Sequence, residues 1–156
     1  MDRPLIVMLD LENTIVDTWC SQHPLMHKQQ DIYDRVQTLD GVTGWGVFSY
    51  AVELPHEKAT GLQIVRDNMP WLTQLPTEER WCPCFRDLEK LLRLRMDSLE
   101  KWEIVDLYGK EIMLAKWARQ FPEFNFALFD DTCLSPEAAL IRRIGEHMQT
   151  LHFFRV

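Results

Sequence analysis

With 156 residues, 46% of them hydrophobic and 26% charged, the chain reads as one domain over residues 1–156 that buries about 68–70% of its unfolded surface. A net charge of −7 and a pI near 5.2 argue against a broad nucleic-acid surface or an anionic-membrane surface. No apolar run approaches the roughly 20 residues of a membrane span, and Met1-Asp-Arg-Pro4 runs into the first apolar segment without a signal sequence, so a cytoplasmic location is expected.

Leu5 to Leu9 is an unbroken apolar run ending at Asp10, the pattern of a strand buried on both faces of a parallel sheet. The segment Pro24–Leu39 reads as helical. Asp40-Gly41 and Gly44 signal a turn, and Trp45 to Val52 follows as a second strand ending near Ser49. Glu57–Leu72 reads as a helix, and the Pro-rich piece from Pro70 to Pro83 as a loop. Phe85, Leu88, Leu91, Leu92, Met96 and Leu99 share one helical face, with acids early and Arg93 and Arg95 late.

Trp102–Leu107 is a further candidate strand, and Glu111–Gln120 a helix that opens beside Lys110. Phe126–Phe129 predicts a strand ending at Asp130-Asp131. Ser135-Pro136-Glu137 is a helix start, with Ser as N-cap and Pro at the first helical position, and that helix stops near Gly145. Leu151–Phe154 closes the chain as a last strand.

Strands alternating with helices predict an α/β fold with a mostly parallel sheet. Ligands in such sheets bind beyond the carboxyl ends of the strands. Asp10, Ser49 and Asp130 all fall at or just past such an end. If the first and third strands are neighbours, Asp10, Glu12 and the Asp130-Asp131 pair bring at least three carboxylates to one sheet edge. That is a divalent-metal site with one carboxylate to spare for chemistry.

Asp10-Leu-Glu12-Asn-Thr14, behind its hydrophobic strand, resembles the first motif of the haloacid dehalogenase (HAD) superfamily. Phe129-Asp130-Asp131-Thr132, followed by a helix, a Gly and a final strand, is similar to the fourth motif. Ser49 falls where the second motif places Ser or Thr. Lys110, one helix and one strand before Asp130, falls where the third places its Lys; Lys116 lies inside that helix and fits less well. The resemblance spans the whole chain and is closest to compact members such as the small magnesium-dependent phosphatases. It implies a three-layer Rossmann-like fold, with helices on both faces of the sheet and no large cap. The segment 50–109 would then form at most a small lid.

The resemblance also implies the chemistry. Asp10 is the nucleophile that forms an aspartyl-phosphate. Mg²⁺ is held by Asp10, the backbone carbonyl of Glu12, and Asp130 or Asp131. Ser49 and Lys110 bind the phosphoryl group, whose charge must be offset by the metal and a cation. Thr14 braces the Asp10 turn, and Asp17 shapes the loop beyond it. Glu12 stands where hydrolytic members usually carry Asp as general acid/base. The extra methylene moves its oxygens by about an ångström, and misplacement on that scale costs about 100-fold in rate.

The expected function is therefore a Mg²⁺-dependent phosphohydrolase acting on a phosphomonoester: a small molecule, a phosphoprotein or a nucleic-acid end. Lys58, Arg66, Arg80 and Arg86 are the cations available to grip it. Glu12 supports a second reading, a HAD-like binding or regulatory domain with an impaired site. A third, a DEDD-type 3′–5′ exonuclease, lacks its closing motif after Tyr108 or His147. Cys82-Pro83-Cys84 has too short a spacing for zinc and no second Cys/His pair. With Cys20 and Cys133 these cysteines read as reduced thiols, and His23 and His27 as surface residues.

Overall fold

A computed structural model describes residues 3–92, 110–131 and 151–156. Strand β1 (Leu5–Leu9) is buried at every position. It lies between β2 (Val42–Val47) and β3 (Asn125–Asp130), and β4 (Leu151–Arg155) adds beyond β3. The order is β2-β1-β3-β4 and every pairing is parallel.

Leu9 stands opposite both Val47 and Phe129, so β1 and β2 end level and β3 runs one residue further, to Asp130. The Asp10 N–H donates to the Phe129 carbonyl (3.0 Å), and the Phe48 N–H donates to the Leu9 carbonyl (2.9 Å). This lateral bonding holds the residues after β1 and β2 beside the end of β3.

Alternation along β1 sends side chains into two apolar clusters. Leu5, Val7 and Leu9 join Ile32 and Val36 of α1 (Met26–Val36) and Leu62, Ile64 and Val65 of α2 (Lys58–Asn68). Ile6 and Met8 join Phe85 and Leu88 of α3 (Phe85–Leu92) and Met113, Leu114 and Trp117 of α4 (Lys110–Ala118). Among the described residues the fold is α/β around an all-parallel four-stranded sheet. Among the described residues, no helix is long and apolar enough to cross a membrane.

The strands at Leu5, Phe126 and Leu151 lie where the apolar runs put them, but β2 does not. It starts at Val42 and stops at Val47, not at Trp45 and Val52. After Phe48 the chain turns: the Val52 N–H donates to the Ser49 carbonyl, and the Ala51 N–H to Ser49 Oγ, both at 3.2 Å. At the other end, Gly41 takes the turn at φ +75°, while Gly44 lies inside the strand.

The glycines of β2 answer to the Pro-rich loop, which runs along this sheet edge. A Cβ on Gly46 would lie 2.1 Å from the Trp81 carbonyl oxygen. The Trp45 N–H donates to the Pro76 carbonyl (3.3 Å), its indole N–H to the Leu75 carbonyl (2.9 Å), and Thr77 Oγ1 to the Trp45 carbonyl (2.6 Å). Among the described strands β2 is an edge, and this loop covers it, which removes a template for pairing with another chain.

Helices α1, α2 and α4 are shorter than their patterns. In the segment expected to supply a lid, α2 and the stretch Trp81–Leu88 pack into the two clusters. The continuation of α3 to Leu99, the candidate strand at Trp102–Leu107 and the helix from Ser135 to Gly145 lie outside the described residues.

Candidate functional site

Beyond Leu9 the chain folds into a tight turn. The N–H groups of Thr14, Ile15 and Val16 all point at the Leu11 carbonyl, at 3.2, 2.9 and 3.2 Å. Leu11, Ile15 and Val16 are fully buried and pin the turn to the core. Asn13 carries the left-handed conformation, at φ 61°, which Asn tolerates better than most residues. The turn sets Thr14 beside the nucleophile candidate, and its hydroxyl donates to Asp10 Oδ2 at 3.0 Å.

Lys110, the first residue of α4, reaches the same point from a hundred residues away. Its Nζ donates to Asp10 Oδ1 at 2.8 Å and also contacts Asp130 Oδ2. All three residues are 6–7% exposed, so an unpaired charge here would carry a large desolvation penalty. The Tyr50 ring lies beside the ammonium, 5.4 Å from Nζ to ring centroid. Lys116, the alternative lysine, is exposed.

Electrostatics follow from that packing. Burial raises the Asp10 pKa and the Asp130 charge adds to the rise, while Lys110 and Thr14 oppose it. For Lys110 burial disfavours the ammonium, but Asp10 and Asp130 outweigh it and the pKa rises. Asp131 is raised by burial and by the neighbouring Asp130 charge.

Asp10, Asp130 and Asp131 each offer one carboxylate oxygen, and these oxygens all lie within 4.8 Å of one another. Three carboxylates and no softer donor make a set suited to a hard cation. Glu12 is not in that group. Its Oε2 accepts the Trp19 backbone N–H at 2.8 Å, so its carboxylate is tied to the loop that follows the turn. Ser49 is buried two residues beyond β2 and one past Phe48, the residue bonded to the end of β1.

The loop after the turn is organised by Asp17. One of its oxygens accepts the N–H groups of Thr18 (2.6 Å) and His23 (2.8 Å) and the Ser21 hydroxyl (2.6 Å). His23 and His27 are exposed. Cys82 and Cys84 are free and buried, and burial pushes the Cys82 thiol up to about 12, the condition of an inert thiol.

Three of the four cations considered for substrate are engaged elsewhere. Lys58 pairs with Asp87 at 2.8 Å, Arg66 lies over the Trp45 ring, and Arg80 pairs with Glu78 at 2.6 Å while covering Trp81. Two participants had no signal in the motif pattern: the Tyr50 ring and the Trp19 N–H. An aromatic directly after Ser49 was the one available hint for Tyr50. A backbone donor leaves no trace in residue type.

Comparison of the chain with protein-family models, with curated proteins and with solved structures gives no match in any of the three. The functional reading rests on the residues and geometry above.

Proposed function

We propose that the chain is a compact member of the HAD superfamily and a Mg²⁺-dependent phosphohydrolase acting through an aspartyl-phosphate on Asp10. One observation carries the reading: Asp10, Asp130, Asp131 and Lys110 converge at the carboxyl ends of adjacent parallel strands. The order of these residues along the chain matches the family's motifs. Apolar clusters that draw on alternate residues of β1 support the three-layer arrangement.

Asp10, Asp130 and Asp131 would hold the Mg²⁺, together with the Glu12 carbonyl by resemblance. When bound, the ion neutralises phosphoryl oxygens. The chain's own residues do the rest. An Asp10 oxygen attacks phosphorus, the bond to the leaving oxygen breaks, and water later releases phosphate from Asp10. Thr14 and Lys110 hold the Asp10 carboxylate in place, and Lys110 brings positive charge to where the transferring group's charge collects. Ser49 Oγ already accepts the Ala51 N–H, which leaves its own proton to donate to a phosphoryl oxygen. The substrate is a phosphorylated small molecule, phosphoprotein or nucleic-acid end, and the location cytoplasmic.

Phosphate release from nucleotides, sugar phosphates and phosphopeptides, measured with Mg²⁺ and with EDTA, tests this. Release should require the metal and fall by at least about 1,000-fold in Asp10→Asn. Hydrolysis that survives either change sinks the mechanism. A second reading, a HAD-like binding or regulatory domain, is favoured by the Glu12–Trp19 bond. It predicts phosphate binding without turnover in the wild type.

A further inference from the structure

The geometry points to a chain in which the Glu12 carboxylate braces the loop rather than shuttling protons, so that it cleaves phosphoryl groups from acidic leaving groups and lingers as the aspartyl-phosphate. This rests on the phosphohydrolase reading and narrows its substrates to aryl phosphates, acyl phosphates and phosphoanhydrides.

Three observations bear on Glu12. Its Oε2 accepts the Trp19 N–H at 2.8 Å, and that donor belongs to a loop held by the three bonds to Asp17. Its backbone is also fixed: residues 12 and 16 form a bridge, and the Asn13 N–H donates to the Val16 carbonyl at 2.8 Å. Its carboxylate does not join Asp10, Asp130 and Asp131, whereas Asp10 takes its bonds from Thr14 and Lys110. A general acid must stand within hydrogen-bond reach of the oxygen it protonates. A carboxylate fastened to a fixed backbone donor on the loop side gives up that reach.

Both halves of the reaction respond. In the first, an Asp10 oxygen forms a bond to phosphorus and the phosphorus–oxygen bond to the leaving group breaks, its electron pair staying on that oxygen. A nitrophenolate or carboxylate departs as a stable anion with no proton supplied; an alkoxide does not. In the second, a water oxygen attacks phosphorus and the pair of the Asp10–phosphorus bond returns to the carboxylate. The protons of water go to solvent and phosphate. Without a positioned base this step loses about 100- to 10,000-fold, and the covalent enzyme accumulates.

The test uses the full chain with Mg²⁺. Rapid-quench mixing with p-nitrophenyl phosphate should release close to one p-nitrophenolate per chain in a burst, then continue slowly. Phenyl phosphate should show kcat/KM lower by at least about 100-fold, since no acid offsets its more basic leaving oxygen. Glu12→Gln keeps an oxygen for the Trp19 N–H and should retain the same steep dependence on the leaving group. Glu12→Asp, a methylene shorter and free of that N–H, should flatten it and remove the burst. Steady turnover without a burst overturns the inference and leaves the phosphohydrolase standing. So does a wild-type preference under about tenfold, or a dependence that steepens in Glu12→Gln. Release that ignores Asp10→Asn, or no release from either ester, overturns both.

Discussion

Asp10 and Glu12 sit two positions apart in one turn, yet their carboxylates belong to different regions of the molecule. Asp10 lies in the inner region, where β1, β3 and the start of α4 meet and where its oxygens take bonds from Thr14 and Lys110. Glu12 belongs to the outer region, the loop that runs to His23, and its partner is a backbone N–H. The inner region is held by long-range contacts through the sheet, so its charges are buried and interdependent. The outer region is held by short-range bonds among polar groups near water. Catalytic electrostatics therefore concentrate at Asp10, and freedom to vary the proton chemistry falls to Glu12.

Removing the inner cation tests the interdependence and should have the largest effect. Lys110→Met leaves Asp10 and Asp130 buried without their shared ammonium. Breaking a buried ion pair from one side costs about 3–5 kcal/mol. Urea unfolding in EDTA should show a loss of that size, and Mg²⁺ should restore part of it by replacing the missing positive charge. A loss below about 1 kcal/mol would mean that Lys110 is not the electrostatic keystone of the strand ends.

The same division explains what the residue pattern could disclose. Apolar runs before Asp10 and Asp130 mark their strands because a strand buried on both faces admits few polar residues. Parallel pairing then sets those two carboxylates side by side. Lys110 was legible through its distance from Asp130, one helix plus one strand. The start of β2 was not, because Gly44 reads as a turn residue although, like Gly46, it lies inside the strand. The missing side chains of both admit the 76–81 chain. That contact depends on a partner some 30 residues away. Glu12 was legible as a departure in type, but its attachment to Trp19 was not, since any residue can offer a backbone N–H.

Thr14 joins the regions: its backbone belongs to the turn and its hydroxyl to Asp10. Thr14→Val keeps the shape and removes the donor from Asp10 Oδ2, so the buried carboxylate loses one of its two bonded oxygens. Hydrogen bonds to charged groups contribute about 1.5–3 kcal/mol, and chemical denaturation should record a loss in that range. If Thr14→Val unfolds at the same urea concentration as the wild type, the Asp10 carboxylate is held by Lys110 alone and the turn is not part of the inner region.

Asp17→Ala should have the smallest effect. Asp17 is half-buried, and its three bonds to Thr18, Ser21 and His23 hold its pKa below the ordinary carboxylate value, led by the Ser21 hydroxyl. Solvent screens such a group, and water can replace each partner it loses. The global unfolding midpoint should not move, while the amides of Thr18 and His23 should exchange faster, because local opening no longer breaks those bonds. If the Trp19 amide also gains exchange, Asp17 and Glu12 hold one loop between them. The proton chemistry at the site would then be adjustable from a surface position that touches none of the strand-end carboxylates. A Trp19 amide that stays protected in Asp17→Ala would instead show that Glu12 holds this stretch of the loop without help.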